Sequence, residues 1–300
     1  MINEMQNFVQ VEGLLSEIGL EEATYTQDGK EVECIRGDVK IHVETEIVQG
    51  GDTVELEIPV RFFTKKYTNA GNENPSYTNL YSILKNGKSI AAVGADEADA
   101  VRIGSGRIVM QEYYTPDGRL VTFPSVSASF VNVVKRADMK YKAKADFQAV
   151  IGRMEMEVDK DGVETDTMKI SAIVVGYNEY VDVLPVLTKN EKFISALKST
   201  YGEGDLVKFG VRLNFSSRTI VTYEEATIGE PIEHERTVQV SDLVLSSVLP
   251  TELGGDEITV DEINRLLSTR TARLEKRKEQ SEKKGARSKN NDKAKVHLGF

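Results

Sequence analysis

The chain has 300 residues, of which 40% are hydrophobic and 29% are charged, and its formal net charge is −10. This composition is typical of a soluble globular protein, and the length predicts about two domains. The only cysteine, Cys34, excludes an intramolecular disulfide and a cysteine-based zinc site. Three histidines far apart in the sequence leave little material for a metal centre or a catalytic triad. We therefore expect no metal, no cofactor and no enzymatic activity.

No apolar run is long enough for a transmembrane helix. The first ten residues lack the basic and apolar segments of a secretory signal. These two observations predict a cytoplasmic protein that does not contact a membrane.

Charge is distributed unevenly along the chain. Residues 271–300 contain ten lysines and arginines and four acidic residues, a net charge of +6, so that residues 1–270 carry −16. An acidic body with a basic tail argues against a protein that coats nucleic acid with its whole surface. It still allows a local basic groove.

The first half of the chain is predicted to be mainly β-strand. Apolar and polar residues alternate over 54–62, and this period of two buries one face of a strand. A short helix is expected over 77–85, after the capping residue Asn74. Glycine turns such as the one at Gly87 separate the elements.

The second half repeats this order of elements after a polar segment, residues 135–144. An apolar helix face is expected at 191–199, and β-branched and aromatic residues predict strands at 168–175, 180–187 and 206–215. The repeat is one of architecture, because no convincing residue-level identity links the halves. We predict an N-terminal domain over 1–140 and a C-terminal domain over 146–250.

A third helix is predicted over 257–282. Thr259 and Glu262 have the spacing of a capping box, and Ile263 and Leu266 begin a narrow apolar stripe. Residues 283–300 are polar and basic, and they are predicted to be disordered.

A resemblance to a known family appears in the second half. A helix end is followed there by Gly204-Asp205-Leu206-Val207 and by a strand that contains Gly210. Bacterial single-stranded-DNA-binding proteins have a similar stretch. Their fold is the OB-fold, a five-stranded Greek-key barrel with a helix between the third and fourth strands. Gly204 suits the tight turn and Gly210 allows a curved strand to bend.

The first half resembles the same family at its start and at its end. Residues 7–15 look like the opening strand, and residues 26–32 look like the first hairpin turn. Residues 104–119 look like the glycine strand and the long hairpin before the last strand, and residues 147–154 are similar to the opening strand again. The resemblance implies a mainly β protein with two OB-fold domains, a C-terminal helix and a disordered basic tail.

The tail departs from the family pattern. That family usually has one such domain and an acidic tail that ends in phenylalanine, whereas this chain has two domains and a basic tail that ends in Phe300. Tandem OB-folds with unusual tails resemble phage-encoded replication proteins. We therefore expect a phage origin, with replication or recombination proteins as partners of the tail.

Binding of a single strand needs aromatic faces for the bases and cations for the phosphates. Arg61, Phe63 and Lys65 share the outer face of the predicted strand, beside Lys66 and Tyr67. The alternative is that Phe63 packs under the loop to the helix.

Weaker candidates lie elsewhere in the chain. Adjacent residues on a strand face opposite ways, so only one of two neighbouring tyrosines can stack on a base. For every member of this set, a packed or solvated surface is the alternative interpretation. The candidates are Arg107, Tyr113, Tyr114 and Arg119 in the hairpin, Lys140 and Lys142 in the linker, and Tyr177, Lys208 and Arg212 in the second domain.

Three functional hypotheses follow. The first is sequence-independent binding of single-stranded DNA in replication or recombination. The second is a structural or adaptor β-protein of a phage assembly that makes protein contacts, which the acidic body favours. The third is a metal-dependent nuclease, and for it no carboxylate cluster has a recognisable spacing.

Overall fold

A computed structural model describes residues 3–115, 117–159, 161–224, 232–252 and 258–295. Its first half contains β1 (Asn7–Gln27), β2 (Lys30–Glu46), β3 (Thr53–Lys65), α1 (Pro75–Asn86), α2 (Ile90–Val93), β4 (Ala100–Gly104), β5 (Arg107–Tyr114), β6 (Leu120–Ser127) and β7 (Phe130–Val134). Its second half contains β8 (Lys142–Val158), β9 (Glu164–Val175), β10 (Val181–Thr188), α3 (Glu191–Thr200), β11 (Leu206–Glu224), β12 (Ile232–Pro250) and α4 (Val260–Lys295).

The first barrel is built from β1 to β7. Strands β1, β2 and β3 form an antiparallel meander, β3 pairs in parallel with β6, and β6 pairs with β5. Strands β4 and β5 act as one strand interrupted at Ser105, which has a φ of 52°, and β4 closes the circuit by pairing with β1. A closed five-stranded circuit with α1 between its third and fourth strands is the OB-fold.

The second barrel has the same connectivity with uninterrupted strands. Strands β8, β9 and β10 form the meander, β10 pairs in parallel with β12, and β11 pairs with both β12 and β8. Helix α3 occupies the position that α1 has in the first barrel. The predicted fold class, mainly β with two OB-fold barrels and a C-terminal helix, is therefore confirmed.

The parallel ladders align the two barrels residue by residue. Val60 pairs with Val126 in the first barrel, and Val186 pairs with Leu243 in the second. Pro59 and Pro185 consequently occupy equivalent positions in β3 and β10. The architectural repeat seen in the sequence thus has a precise structural register.

The two barrels are joined through their opening strands. Residues Asn7 to Glu12 of β1 pair antiparallel with Lys142 to Phe147 of β8, so all twelve strands belong to one sheet. The apolar core is also continuous across the junction. Within that core the rings of Phe147 and Phe209 lie 5.7 Å apart.

The C-terminal helix starts as the sequence predicts and continues further. Thr259 and Glu262 form the reciprocal capping box, in which the backbone N–H of each donates to the side chain of the other. The helix passes the predicted end at residue 282 and reaches Lys295, because lysine, arginine and alanine, which are good helix formers, outnumber the poorer ones there. Residues 296–300, the remainder of the tail predicted to be disordered, lie outside the described residues. The domain limits drawn from the sequence stay a prediction.

Gly13 marks a close approach of two strands. A Cβ atom built on Gly13 would lie 2.0 Å from the carbonyl oxygen of His42. We therefore expect Gly13→Ala to lower the free energy of unfolding by about 1–3 kcal/mol, as overpacking generally does. Chemical denaturation of the variant and the wild type measures this difference in the free energy of unfolding.

Gly202→Ala is the matched control, because a Cβ at Gly202 meets no atom within 4 Å. Equal stability of the two variants would contradict the described strand contact.

Candidate nucleic-acid interface

The outer face of the first barrel carries an exposed aromatic pair. Phe63 is 58% exposed, and its ring centroid lies 5.6 Å from that of Tyr25. Lys65 Nζ donates to Gln27 Oε1 at 2.8 Å, and the Tyr25 hydroxyl donates to the same oxygen at 3.1 Å. Arg36 lies opposite Phe63 on β2. We call Tyr25, Gln27, Arg36, Phe63 and Lys65 the Phe63 surface.

The cations on and near this surface differ in their partners. Arg36 Nε lies 2.7 Å from Glu21 Oε1, and Lys66 Nζ lies 2.9 Å from Glu33 Oε2. The bond from Lys66 to Glu33 raises the pKa of the lysine. Lys65, by contrast, bonds to a neutral amide. Exposed ion pairs contribute only about 0–1 kcal/mol, so a phosphate can compete for Arg36 and reach Lys65 without breaking an ion pair.

More aromatic residues continue beyond β3. Tyr67 is 47% exposed, with Lys66 Nζ 5.7 Å from its ring centroid. Tyr77 and Tyr81 stack on α1 with their centroids 6.2 Å apart, and Lys85 lies 5.1 Å from the Tyr81 ring. No sequence-based prediction included Tyr25, Tyr77 or Tyr81, although the spacing of the last two by four residues is a helical signal.

The side chain of Arg61 has its partners outside the Phe63 surface. Its Nη1 donates to Gln111 Oε1 at 3.0 Å, and its guanidinium lies 5.9 Å from the Phe123 ring centroid. Phe123 in turn meets Tyr113 edge-on at 6.4 Å. The structure thus brings together two residues that the sequence assigned to separate groups, Arg61 and Tyr113.

Arg61 and Tyr113 line a cavity of about 970 Å³ between the outer faces of the two barrels, which we call the inter-barrel cleft. Five acidic residues and three basic residues surround it. The acids are Glu17, Asp38, Glu57, Glu157 and Asp242, and the cations are Lys40, Arg61 and Lys169. The cleft is therefore not the basic groove that Arg61 suggested.

The other hairpin candidates are dispersed. Tyr114 faces away from Tyr113 and its carbonyl oxygen accepts from Ser281 of α4 at 3.4 Å. Arg119 lies at the hairpin tip, where its backbone N–H donates to Thr115 Oγ1. Arg107 and Tyr177 lie together instead, in a second cavity of about 610 Å³.

The linker candidates lie at the junction of β1 and β8. Glu12 is almost completely buried and binds Arg102 through two hydrogen bonds of 2.8 and 2.9 Å. It also accepts from the Lys140 backbone N–H at 3.0 Å and lies 3.3 Å from Lys142 Nζ. The bonds from Arg102 hold the pKa of Glu12 at about 2. Lys142 is thus engaged in a structural ion pair.

The cations of the second barrel are also drawn into the fold. Arg212 donates from Nη1 to the carbonyl oxygen of Glu46, and this bond joins β11 to the first barrel. Lys208 lies opposite Gln148 and is partly buried. The role of these candidates in nucleic-acid binding stays a prediction.

Helix α4 ties the two barrels together through a buried carboxylate. Glu112 of β5 accepts from Arg270, and its Oε2 lies 3.6 Å from Arg273 Nη2. Arg273 also donates to the Val181 carbonyl oxygen at 3.0 Å and covers the ring of Tyr180 at 3.7 Å. These arginines therefore bridge β5 of the first barrel and the start of β10 in the second.

Asp182 lies beside this arginine cluster and is 8% exposed. Burial raises its pKa to about 6, and the charge of Glu112 adds to the rise, although the Met110 backbone N–H and the two arginines oppose it. One carboxylate oxygen, Oδ1, has no hydrogen-bond partner within the described part of the chain. The ionised form of Asp182 is thus poorly accommodated.

No group of three histidine, cysteine or acidic residues in the described ranges is arranged to hold a metal ion. No helix in those ranges is both long and apolar enough to cross a membrane.

Replacing Asp182 should stabilise the fold at neutral and alkaline pH. Its folded pKa of about 6 lies above the ordinary aspartate value of 3.8, so its contribution to stability is greatest below pH 3.8 and is lost as the pH rises through 6. Two pKa units correspond to about 3 kcal/mol, and we expect Asp182→Asn to recover up to that amount at pH 8 and little at pH 4.

Denaturant titrations at the two pH values measure this difference. Asp52→Asn, at an exposed loop position, is the control and should change neither value. A loss of stability in the Asp182 variant at pH 8 would show that the carboxylate is favourably paired.

Comparisons with known proteins found structural neighbours of low sequence identity and a matching family model. No curated protein sequence matches the chain. The wild-type single-stranded DNA binding protein of Thermus aquaticus is 12% identical, with a TM-score of 0.49 over 86% of this chain and 99% of that one. A deletion mutant of that protein is 11% identical, with a TM-score of 0.47 over 84% and 98%. A family model described as YorF matches residues 6–280, which include both barrels and much of α4. The chain therefore belongs to the YorF family.

Proposed function

We propose that the protein binds single-stranded DNA through the Phe63 surface and acts in DNA replication or recombination. The observation that carries the proposal is an exposed phenyl ring beside Tyr25, with Lys65 next to it and bonded to a neutral partner. Aromatic rings that accept bases and cations that accept phosphates are the two requirements of single-strand binding.

The chemistry of the Phe63 surface favours binding without sequence preference. A phenyl ring has no hydrogen-bonding group and stacks on any base, and each stacked base contributes about 1–3 kcal/mol. Lys65 and Arg36 lie where they can meet the adjacent phosphates, which carry no sequence information. Base stacking then supplies the affinity and the cations supply its dependence on salt.

The second barrel offers less to a single strand. In the register of the parallel ladders, Leu187 corresponds to Arg61, and Lys189 corresponds to Phe63. Lys189 Nζ lies 3.2 Å from Asp166 Oδ1, so this position presents an ion pair where the first barrel presents a ring. We propose that the first barrel carries most of the binding.

A second candidate function is that of an adaptor that binds other proteins, and the acidic lining of the inter-barrel cleft favours it. Purification with a stoichiometric protein partner, together with indifference to DNA, would select this function. We also propose that the protein is encoded by a phage and located in the cytoplasm.

Phe63→Ala should weaken binding of an oligothymidylate of about 20 nucleotides. Loss of one stacked base predicts a rise in Kd of roughly 5- to 150-fold, which fluorescence anisotropy measures. Phe8→Ala is the matched control, because Phe8 is 50% exposed but lies at the junction of β1 and β8. Unchanged affinity of the Phe63 variant would refute this surface.

Lys65→Gln should reduce the dependence of binding on salt. Each phosphate contact to a single strand contributes about 0.7 to the slope of log K against log salt, so we expect the slope to fall by about that amount. Lys192→Gln, at an exposed position on α3 of the second barrel, is the control. An unaltered slope would mean that Lys65 does not meet a phosphate.

A further inference from the structure

The inter-barrel cleft lies where equivalent faces of the two barrels meet. Pro59 of β3 and Pro185 of β10, which occupy equivalent positions, both line it. Phe123, Val121 and Leu187 add apolar surface. With a volume of about 970 Å³, the cleft is large enough for several residues of an extended peptide.

Some charged groups of the cleft already have partners within the fold. Lys40 Nζ lies 2.5 Å from Glu17 Oε2, and Glu57 Oε1 lies 3.1 Å from His42 Nδ1. Arg61 is held by a neutral amide and a ring, as described above. Three cations therefore do not balance the five acids that line the cleft.

The second-barrel side of the cleft carries two neighbouring carboxylates. Burial raises the pKa of Asp242, and the charge of Glu157 raises it further, while a hydrogen bond from Asn214 at 3.4 Å opposes the rise. Among the residues whose side chains the structure describes, which do not include Arg218 and Arg236, no lysine or arginine forms an ion pair with Asp242 or Glu157. A cation that entered here would relieve the repulsion between them, whereas a polyphosphate would increase it.

The chain itself contains a segment of the required charge. Residues 283–300 include six lysines and arginines and one aspartate. Ser281 Oγ of α4 donates to the Tyr114 carbonyl oxygen at 3.4 Å, next to Tyr113 at the cleft. Among the α4 residues whose side chains the structure describes, which end at Glu282, none lines the cleft.

The geometry of α4 favours contact with another molecule. From Ser281 to Lys295 the helix extends about 20 Å at 1.5 Å per residue, and this continuous helix carries the basic residues away from the Ser281 contact. We propose that the inter-barrel cleft of one copy binds the basic segment 283–300 of a second copy. Such a contact is head-to-tail and links copies into an open chain. The proposal is independent of DNA binding by the Phe63 surface.

The test uses the full-length protein and a fluorescent peptide with the sequence of residues 283–300. We expect the peptide to bind at low salt, and the double variant Glu157→Gln, Asp242→Asn to bind it about 5- to 30-fold more weakly, as the loss of two ion pairs of up to about 1 kcal/mol each predicts. Glu31→Gln, in the exposed β1–β2 hairpin, is the matched control. A peptide whose six basic residues are glutamine should not bind.

A charge reversal keeps the proposal testable if the double variant folds poorly. Glu157→Lys leaves four acids and four cations around the cleft, so it should weaken binding of the native peptide, whereas Glu31→Lys should not. Sedimentation of the full chain at low salt should show self-association that the double variant lacks.

Equal binding of the native peptide by wild type and double variant would overturn the proposal. Oligothymidylate binding by the same samples reports separately on the Phe63 surface.

Discussion

The antiparallel ladder between β1 and β8 is the constraint on which the rest of the molecule depends. It places one barrel against the other, and it ends at Glu12, whose buried carboxylate is held by Arg102 and Lys142. Pairing of this kind offsets the cost of burying a charged carboxylate. The cleft, the Arg212 contact and the path of α4 all follow from the relative position that this ladder imposes.

The arginines of α4 impose a second constraint, where they bridge β5 and the start of β10. Glu112 has a buried side chain, so removal of either carboxylate or arginine would leave an uncompensated charge. Asp182 adds an acid that is not well accommodated when ionised. Helix α4 is thus held to the barrels through Glu112, and burial of Asp182 makes the stability of this region depend on pH near neutrality.

Much of the fold could be predicted because its signals are local. Alternation along β3 put Phe63 on the outer face, and Asn74 and Thr259 marked helix starts that the structure contains. The partners of Arg61 and Lys142 could not be predicted, since β5 and β1 reach them only through long-range pairing. Tyr25 was missed for the same reason: its proximity to Phe63 spans three strands. Sequence periodicity predicts which face of a strand a side chain occupies. It does not predict which residue of another strand that side chain contacts.

The two outer faces of the barrels have diverged in chemistry, with a ring at Phe63 and an ion pair at Lys189 in the corresponding position. Covalent connection makes this divergence possible. Two separate copies of one barrel would have to carry identical surfaces and would dissociate on dilution, whereas barrels in a single polypeptide meet at a high effective concentration. One barrel can therefore specialise while the other is retained as a scaffold, and the pair stays assembled however scarce the protein is.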